Sequence, residues 1–191
     1  LFYGQYTRTK SFFSNSELAS SGLPSGRELE ILEAFRDRVP EEVFTTIYEP
    51  PITDGSGQIR QNLRAARTLL KAAGWNVVEN ALVHGETGER MEIEFLLRSP
   101  AFERIVSPIA RNLERLGITA VIRTVDEAQF VNRADEFDYD IVTGRQGQTL
   151  SPGNEQTNLW HSSTAAEPGS RNRAGIADPV VDELVQRLIQ A

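Results

Sequence analysis

The sequence has 191 residues, enough for one domain with a substantial core or for one lobe of a larger protein. Its 20 basic and 27 acidic residues give a net charge of −7. No contiguous block concentrates either sign, which argues against a non-specific nucleic-acid surface or a surface for anionic membranes. Cysteine is absent, which excludes disulfides, thiolate metal sites and a cysteine nucleophile.

The start of the sequence and its hydropathy bear on location. No apolar run is long enough to cross a bilayer, and Leu1-Phe2-Tyr3-Gly4 does not resemble a signal peptide. The only methionine is Met91. We therefore expect a piece of a longer protein, whose signal peptide would lie outside this sequence.

The first quarter of the chain is predicted to be irregular, followed by a short helix. Residues 1–23 mix aromatic and small polar side chains without a helical or strand period. Ser25 and Glu28 have the spacing of a capping box, and apolar residues then follow at helical intervals until Pro40. The pattern predicts a helix from Gly26 to about Arg38, and the proline- and glycine-rich residues beyond it predict a surface loop.

A second helix and a hairpin are predicted next. Apolar residues recur at helical spacing over residues 59–73, and Gly74 suits a left-handed cap, after which Trp75 is expected to pack back onto the helix. Residues 77–83 and 91–98 are strand-like, and the polar stretch between them favours a hairpin. In residues 91–98, one face is expected to pack in the core and the other to be partly exposed to solvent.

The region that follows alternates helices and strands. Ser99-Pro100 opens a helix that reaches Leu116, and Pro108 within it predicts a kink or a break. Residues 118–125 predict a strand, Asp126 caps a helix through Ala134, and another strand begins at Phe137. This order predicts an α/β fold with a mixed, mostly parallel sheet flanked by helices.

The stretch from Phe137 to Trp160 begins as a strand and becomes a long polar loop. Such a loop either binds a ligand or is a solvated connection, and its length favours function. In open α/β sheets ligands bind beside the carboxyl ends of the strands, where this loop is predicted to emerge. A second polar segment covers residues 169–176. Asp178-Pro179 then opens a last helix, and the spacing of its apolar residues predicts that one face packs in the core. Its residues are Val181, Leu184, Val185, Leu188 and Ile189.

The sequence contains no convincing catalytic or metal site. His84 and His161 are the only histidines, they lack ligand spacing, and a structural or surface role is favoured for both. No Gly-x-Ser-x-Gly elbow and no phosphate-binding loop occur. No metal or cofactor is therefore expected, and the amide- and hydroxyl-rich loops favour recognition of a polar ligand without chemistry.

Several motifs, in this order, resemble the second lobe of the oligopeptide- and dipeptide-binding proteins of bacterial ABC importers. They are Leu69-Leu70-Lys71-Ala72-Ala73-Gly74-Trp75, Leu113-Glu114-Arg115-Leu116-Gly117-Ile118 and Phe137-Asp138-Tyr139-Asp140. The microcin C and related oligopeptide branch is resembled by the opening Tyr6-Thr7-Arg8-Thr9, by Ser151-Pro152-Gly153-Asn154-Glu155-Gln156, by Gly169-Ser170-Arg171-Asn172 and by Gly175-Ile176. The resemblance covers nearly the whole chain.

The resemblance implies a periplasmic, monomeric, two-lobed binding protein of the type II fold that closes on a peptide and presents it to membrane permease subunits. Residues 1–191 would form a single domain, the second lobe. Many members carry an aspartate in the loop that pairs with the ligand's amino terminus, whereas residues 147–151 contain none. Either Glu155 or neutral amides substitute, or the ligand is a modified peptide.

The leading hypothesis is therefore an oligopeptide- or modified-peptide-binding component of an ABC importer and not an enzyme. Hinge closure would require extra ligand contacts with this lobe. The predicted ligand contacts are Gln148, Ser151, Asn154, Glu155, Arg171 and Asn172. Ser151 and Asn154, taken singly, suit a role in fixing the loop backbone. The alternatives are a hydrolase acting on a peptide or ester through Glu155, Ser151 or Ser170, and an interaction module using the aromatic first segment.

Overall fold

A computed structural model of the protein describes residues 8–191. Its described residues form two compact units, a first unit of residues 51–145 and a second unit of residues 8–50 and 146–191. The sequence predicts one domain over residues 1–191. The assignment of both units to one lobe of a two-lobed protein stays a prediction.

The units differ in secondary structure. The helices, in chain order, are α1 (Gly26–Glu33), α2 (Glu42–Thr45), α3 (Arg60–Ala72), α4 (Glu103–Glu114), α5 (Glu127–Asp135), α6 (Glu155–Trp160) and α7 (Pro179–Ile189). The strands are β1 (Trp75–Val78), β2 (Ala81–His84), β3 (Glu92–Leu97), β4 (Thr119–Thr124) and β5 (Ile141–Val142). All five strands and α3, α4 and α5 belong to the first unit, whereas the described helices of the second unit are α1, α2, α6 and α7. Residues 8–25 contain no helix or strand, as expected.

The first unit is built around a parallel sheet of order β4-β3-β5. Alternate side chains of the central strand β3 point to opposite faces. Phe95 and Leu97 pack with Val106 of α4, and Leu96 packs with Phe130 of α5. The α/β class with a parallel sheet between helices is confirmed. The other face is partly exposed to solvent, as expected, since Glu92 is exposed and Glu94 half-buried, whereas Leu96 is fully buried because α5 covers that end.

The predicted hairpin is wrong. Strands β1 and β2 pair with each other in a separate antiparallel sheet, because Glu79 and Asn80 both have positive φ and reverse the chain within the run read as one strand. Where a strand pair was expected between residues 77–83 and 91–98, the structure has an isolated bridge of Val83 with Arg90 and a hydrogen bond from the Met91 N–H to the Leu82 carbonyl. Trp75 packs against the Leu82 cluster, which also includes side chains of α3, as predicted.

The structure tests the predicted helix ends. The side chains of Asp126 and Asp178 accept backbone hydrogen bonds at the starts of α5 and α7, and Gly74 has φ +86° after α3. The capping box is not formed, since the Ser25 side chain makes no cap hydrogen bond, and α1 ends at Glu33 instead of Arg38. Helix α4 continues through Pro108 without the break offered as one alternative.

Two further expectations about the second half of the chain need correction. The strand expected from Phe137 contains only Ile141 and Val142, because Phe137 has φ +57°, outside the strand region. On α7, Leu188 is 40% exposed whereas Val180 is buried, so the core-facing stripe is shifted from the predicted one.

Candidate functional site

A buried glutamine lies at the centre of the polar loop that the sequence analysis singled out. The Gln156 side chain, on α6 of the second unit, is 4% exposed. Its Nε2 donates to Gln148 Oε1 at 2.7 Å and to Glu155 Oε1 at 3.0 Å, and its Oε1 accepts from Trp160 Nε1 at 2.8 Å. The network therefore joins two predicted site residues, Gln148 and Glu155, through a residue that was not predicted.

Gln148 has an unused hydrogen-bond donor. Its Oε1 is held by Gln156, which fixes the orientation of the amide, and its Nε2 is buried without a hydrogen-bond partner in the part of the chain that the structure describes. An unpaired buried donor costs free energy unless it gains an acceptor. Within the described residues, the network therefore leaves this donor unsatisfied.

Glu155 presents a carboxylate beside that amide. Its Oε1 accepts from the Gly153 backbone N–H at 2.9 Å, and the hydrogen bonds from Gly153 and Gln156 lower the pKa of Glu155 below its ordinary value. Arg171 lowers this pKa further through its charge. Glu155 is therefore anionic at neutral pH, as a partner for a ligand ammonium group must be.

Arg171 and Asn172 have different surroundings. The Arg171 side chain is exposed and donates to Gln146 Oε1 at 3.2 Å, while its backbone N–H donates to Asn158 Oδ1 at 2.8 Å. Asn172 is 1% exposed, its Nδ2 donates to the carbonyls of His161 and Ile176, and its Oδ1 accepts from the Ile176 N–H. These bonds use both N–H donors and the oxygen of the amide within the chain, so the geometry favours a structural role for Asn172.

The two other predicted contacts lie on the exposed loop before α6. Thr149 Oγ1 donates to the Ser151 carbonyl at 3.0 Å, so the Ser151 backbone stabilises a turn. Asn154 is the residue before α6 but makes no side-chain cap bond. Both side chains are exposed and in position to meet solvent or a ligand.

An apolar pocket of about 230 Å³ lies beside the glutamine network, within the second unit. Gln156 and Trp160 belong to both the network and the pocket wall, and Phe13, Pro152 and residues of α7 form the rest. The ring of Phe12 lies edge-on to Trp160 at a centroid distance of 4.6 Å. The lining residues are Phe13, Pro152, Gln156, Trp160, Val181, Leu184, Val185 and Leu188. A polar rim therefore adjoins an apolar recess, the common arrangement of a small-ligand site.

The hydroxyl groups near the site are bonded in ways that do not suit a nucleophile. Ser170 is buried and donates its Oγ to the Thr164 carbonyl at 2.7 Å. Asp182 accepts from the N–H and Oγ of Ser162, while His161 Nδ1 lies 3.0 Å from Ser163 Oγ and 3.8 Å from Asp182 Oδ1. A serine triad needs the serine on one ring nitrogen and the aspartate on the other, whereas here both approach Nδ1. Among residues 8–191, no group of three or more His, Asp or Glu side chains is arranged to hold a metal ion.

Gln156, Trp160 and Phe13, which belong to the network or line the pocket, were not predicted from the sequence. The sequence does contain a signal for Gln156 and Trp160. Residues 152–154 are turn residues, and the next six can form a helix. In such a helix Gln156 and Trp160 are an i, i+4 pair on one face. Phe13 comes from the irregular first segment, which joins the pocket through tertiary packing and has no local signal.

Residues 1–168 match the family of bacterial extracellular solute-binding proteins, family 5, middle part. The chain belongs to this family. Among its relatives, an uncharacterized protein of Sinorhizobium fredii is 51% identical over the whole chain, and a probable peptide-binding protein of Agrobacterium fabrum is 48% identical over the whole chain. The chain spans 29% and 31% of the lengths of these two relatives.

A comparison with solved structures confirms the fold. A mannohexaose-bound periplasmic oligopeptide-binding protein of Thermotoga maritima aligns over 89% of the chain and 30% of its own length, with 14% identity and a TM-score of 0.57. The predicted type II binding-protein fold class is therefore confirmed. Membership of this extracellular family places the chain in the periplasm, as the resemblance implied. Over the described residues, none of the helices has the length and apolarity needed to cross a membrane.

Proposed function

We propose that this family 5 chain is part of the substrate-binding component of an ABC importer, which binds an oligopeptide or a modified peptide and delivers it to a membrane permease. The similarity to the probable peptide-binding protein of Agrobacterium fabrum, along the whole chain, supports the ligand class. The binding site proposed here is the rim of Gln148, Glu155 and Arg171, with Ser151 and Asn154 as outer contacts and Asn172 as its buried support.

The observation that carries the site is the unpaired Nε2 of Gln148. In the proposed complex this donor bonds a peptide carbonyl, and the Glu155 carboxylate pairs with the ligand's amino group, the role that an aspartate has in relatives of the resembled type. The apolar pocket takes one apolar side chain. A backbone carbonyl and an amino terminus occur in ordinary peptides, and apolar side chains are common in them. These three contacts therefore agree with a carrier that binds many different peptides.

Calorimetry of the full-length protein with a panel of peptides tests this proposal. We expect binding, and we expect Gln148→Leu to weaken it about 3–10-fold, the value of one neutral hydrogen bond. Gln129→Leu, at an exposed position on α5 in the first unit, is the matched control and should bind as the wild type does. If the wild type binds no peptide of the panel, the ligand class is ruled out. If Gln148→Leu binds as tightly as Gln129→Leu and the wild type, only the role of Gln148 is ruled out.

The protein is proposed not to be an enzyme, because the hydroxyl of Ser170 is buried and engaged and because its family consists of binding proteins. Hydrolysis of a peptide or ester by the full-length protein, abolished by Ser151→Ala, would support the hydrolase instead.

A further inference from the structure

Four cationic side chains form a stripe along α3 in the first unit. Arg60, Arg64, Arg67 and Lys71 are all exposed. At 3.6 residues per turn, successive residues are about 100° apart, which places these four within an arc of about 60°. The sequence has no contiguous basic block, but the helical period gathers these positive charges on one face. We call them, together with Arg115 at the end of α4, the arginine face.

The arginine face is not neutralised by the described part of the chain. Its five cations form no salt bridge there, and α3 contains no acidic residue. The whole sequence is acidic, with a net charge of −7, so five uncompensated cations on one surface depart from the average. Arg60 and Arg64 also lie near the helix N-terminus, where positive charge opposes the helix dipole. Stability of α3 therefore does not explain them.

The surface around these charges is concave and partly apolar. A recess of about 180 Å³ is lined by Arg60, Leu63, Arg64, Arg67 and Arg115. A second recess of about 210 Å³ includes Arg67, Lys71, Trp75 and Val77 in its lining, and Val77 is 51% exposed. Arg67 belongs to both recesses, and one of its terminal nitrogens donates to the Arg115 carbonyl at 2.8 Å, which holds its side chain in place.

This combination suits a protein partner better than a lipid or nucleic-acid surface. Arginine and tryptophan are enriched in protein interfaces, and arginine pairs with carboxylates through two parallel hydrogen bonds. The two recesses, one of them lined by the exposed Val77, fit protruding side chains of a protein. A lipid or nucleic-acid surface would instead favour a flat, wholly basic face. The complementary partner is therefore a protein surface that carries aspartate and glutamate.

We propose that the arginine face of α3 docks on a carboxylate-bearing extracytoplasmic surface of the permease. This inference rests on the proposed function, because it presumes that the protein delivers its ligand to a permease. The inference adds to the proposed function which surface contacts the permease, and that this surface is positively charged where the permease surface is negatively charged. Guanidinium groups attract the acidic partner, and the apolar recess beside Trp75 contributes the dry part of the interface.

The experiment uses the full-length protein and its permease in lipid nanodiscs, with binding and stimulation of ATP hydrolysis as the two measurements. We expect Arg64→Glu and Arg67→Glu each to weaken binding to the permease at least about tenfold, and added salt to weaken wild-type binding. Arg104→Glu is the matched control. It makes the same charge change at an exposed arginine about 16 Å along α4 from Arg115, and it should bind as the wild type does.

The outcomes separate this inference from the proposed function. Equal permease binding by the wild type, Arg64→Glu and Arg104→Glu overturns the docking surface, as does absence of wild-type binding. Binding of the wild type to protein-free vesicles containing anionic lipid, lost in Arg64→Glu, would assign the face to the membrane instead and also overturn the proposal. Peptide calorimetry on the same samples tests ligand binding separately, and we expect it to be unchanged in all three variants.

Discussion

At the scale of single residues, the site depends on a few side chains whose roles are set by their hydrogen-bond partners. Asn172 and Gln148 both carry amides. Asn172 bonds through both N–H donors and its oxygen inside the second unit, whereas Gln148 has an unpaired Nε2. Sequence position alone did not distinguish them, because the difference depends on which backbone groups come near. Composition predicted a rim of amides, which stays a prediction, and it could not say which amides bond within the chain.

The Gln156 network makes a prediction about stability. Gln156→Leu keeps the size of the side chain but leaves Trp160 Nε1 and Gln148 Oε1 without their partners in the network. We expect a loss of about 1–3 kcal/mol in the free energy of unfolding, measured by urea denaturation, because buried polar groups left unpaired pay their desolvation cost. Gln186→Leu, at an exposed position on α7, should change stability by less than about 0.5 kcal/mol. Equal losses in the two variants would show that the network contributes nothing.

Asp182 predicts a dependence of stability on pH. Hydrogen bonds from the Ser162 side chain and backbone, with a smaller effect of His161, lower the pKa of Asp182 in the folded protein. Since the folded pKa lies below the unfolded value of about 3.9, the stabilisation is complete above that value and is lost as the pH falls through the folded pKa. Asp182→Asn should therefore be less stable than the wild type at pH 7, with a difference that shrinks by pH 3.

Urea unfolding at the two pH values measures this effect. The control is Asp37→Asn at an exposed position, for which we expect the same difference from the wild type at both pH values. A constant penalty for Asp182→Asn from pH 7 to pH 3 would contradict the proposed role of its ionised carboxylate.

At the scale of elements, the sequence predicted best where the pattern is local and strong. Helices α3, α4 and α7 and strand β4 have clear periods and end signals, and they occur close to the predicted bounds. Strand pairing was less predictable. The β1–β2 hairpin turns at Glu79-Asn80, which lacks the usual glycine, and α6 is a six-residue helix too short to show a period. The pocket could not be predicted, because Phe13 reaches it only through tertiary packing.

Gly117 shows how one element depends on the close approach of another. It has φ +87°, and an added Cβ would lie 2.9 Å from the Leu82 backbone nitrogen. The N–H of Leu82 also donates a hydrogen bond to the Gly117 carbonyl. We expect Gly117→Ala to destabilise the protein by about 2–5 kcal/mol, the sum of left-handed strain and displaced backbone. Gly88→Ala has similar strain, at φ +71°, but meets nothing within 4 Å, and should cost only about 1 kcal/mol. Thermal unfolding of both variants measures the difference, and a similar loss in each would contradict a steric role for the β2 backbone.

At the scale of the whole molecule, the described chain supplies two surfaces with different chemistry. The second unit contains the amide rim and apolar pocket, and the first unit contains the arginine face. Because the chain belongs to family 5, we propose one function for both surfaces. The amide rim and pocket bind the ligand, and the arginine face binds the permease. The chain spans 29% of the length of its relative in Sinorhizobium fredii, so further ligand contacts are proposed to come from the rest of the protein.

The last prediction compares this 191-residue chain with the full-length protein. If a ligand is held by hinge closure, its affinity includes contacts from both lobes, and the chain alone retains only those of the Gln148 and Glu155 rim. Loss of two or three hydrogen bonds at about 1.5 kcal/mol each corresponds to about 150- to 1,500-fold weaker binding. Calorimetry with one peptide from the panel measures both affinities, and circular dichroism shows whether the isolated chain is folded. A folded chain that bound the peptide as tightly as the full-length protein would contradict closure and place the whole ligand site in these 191 residues.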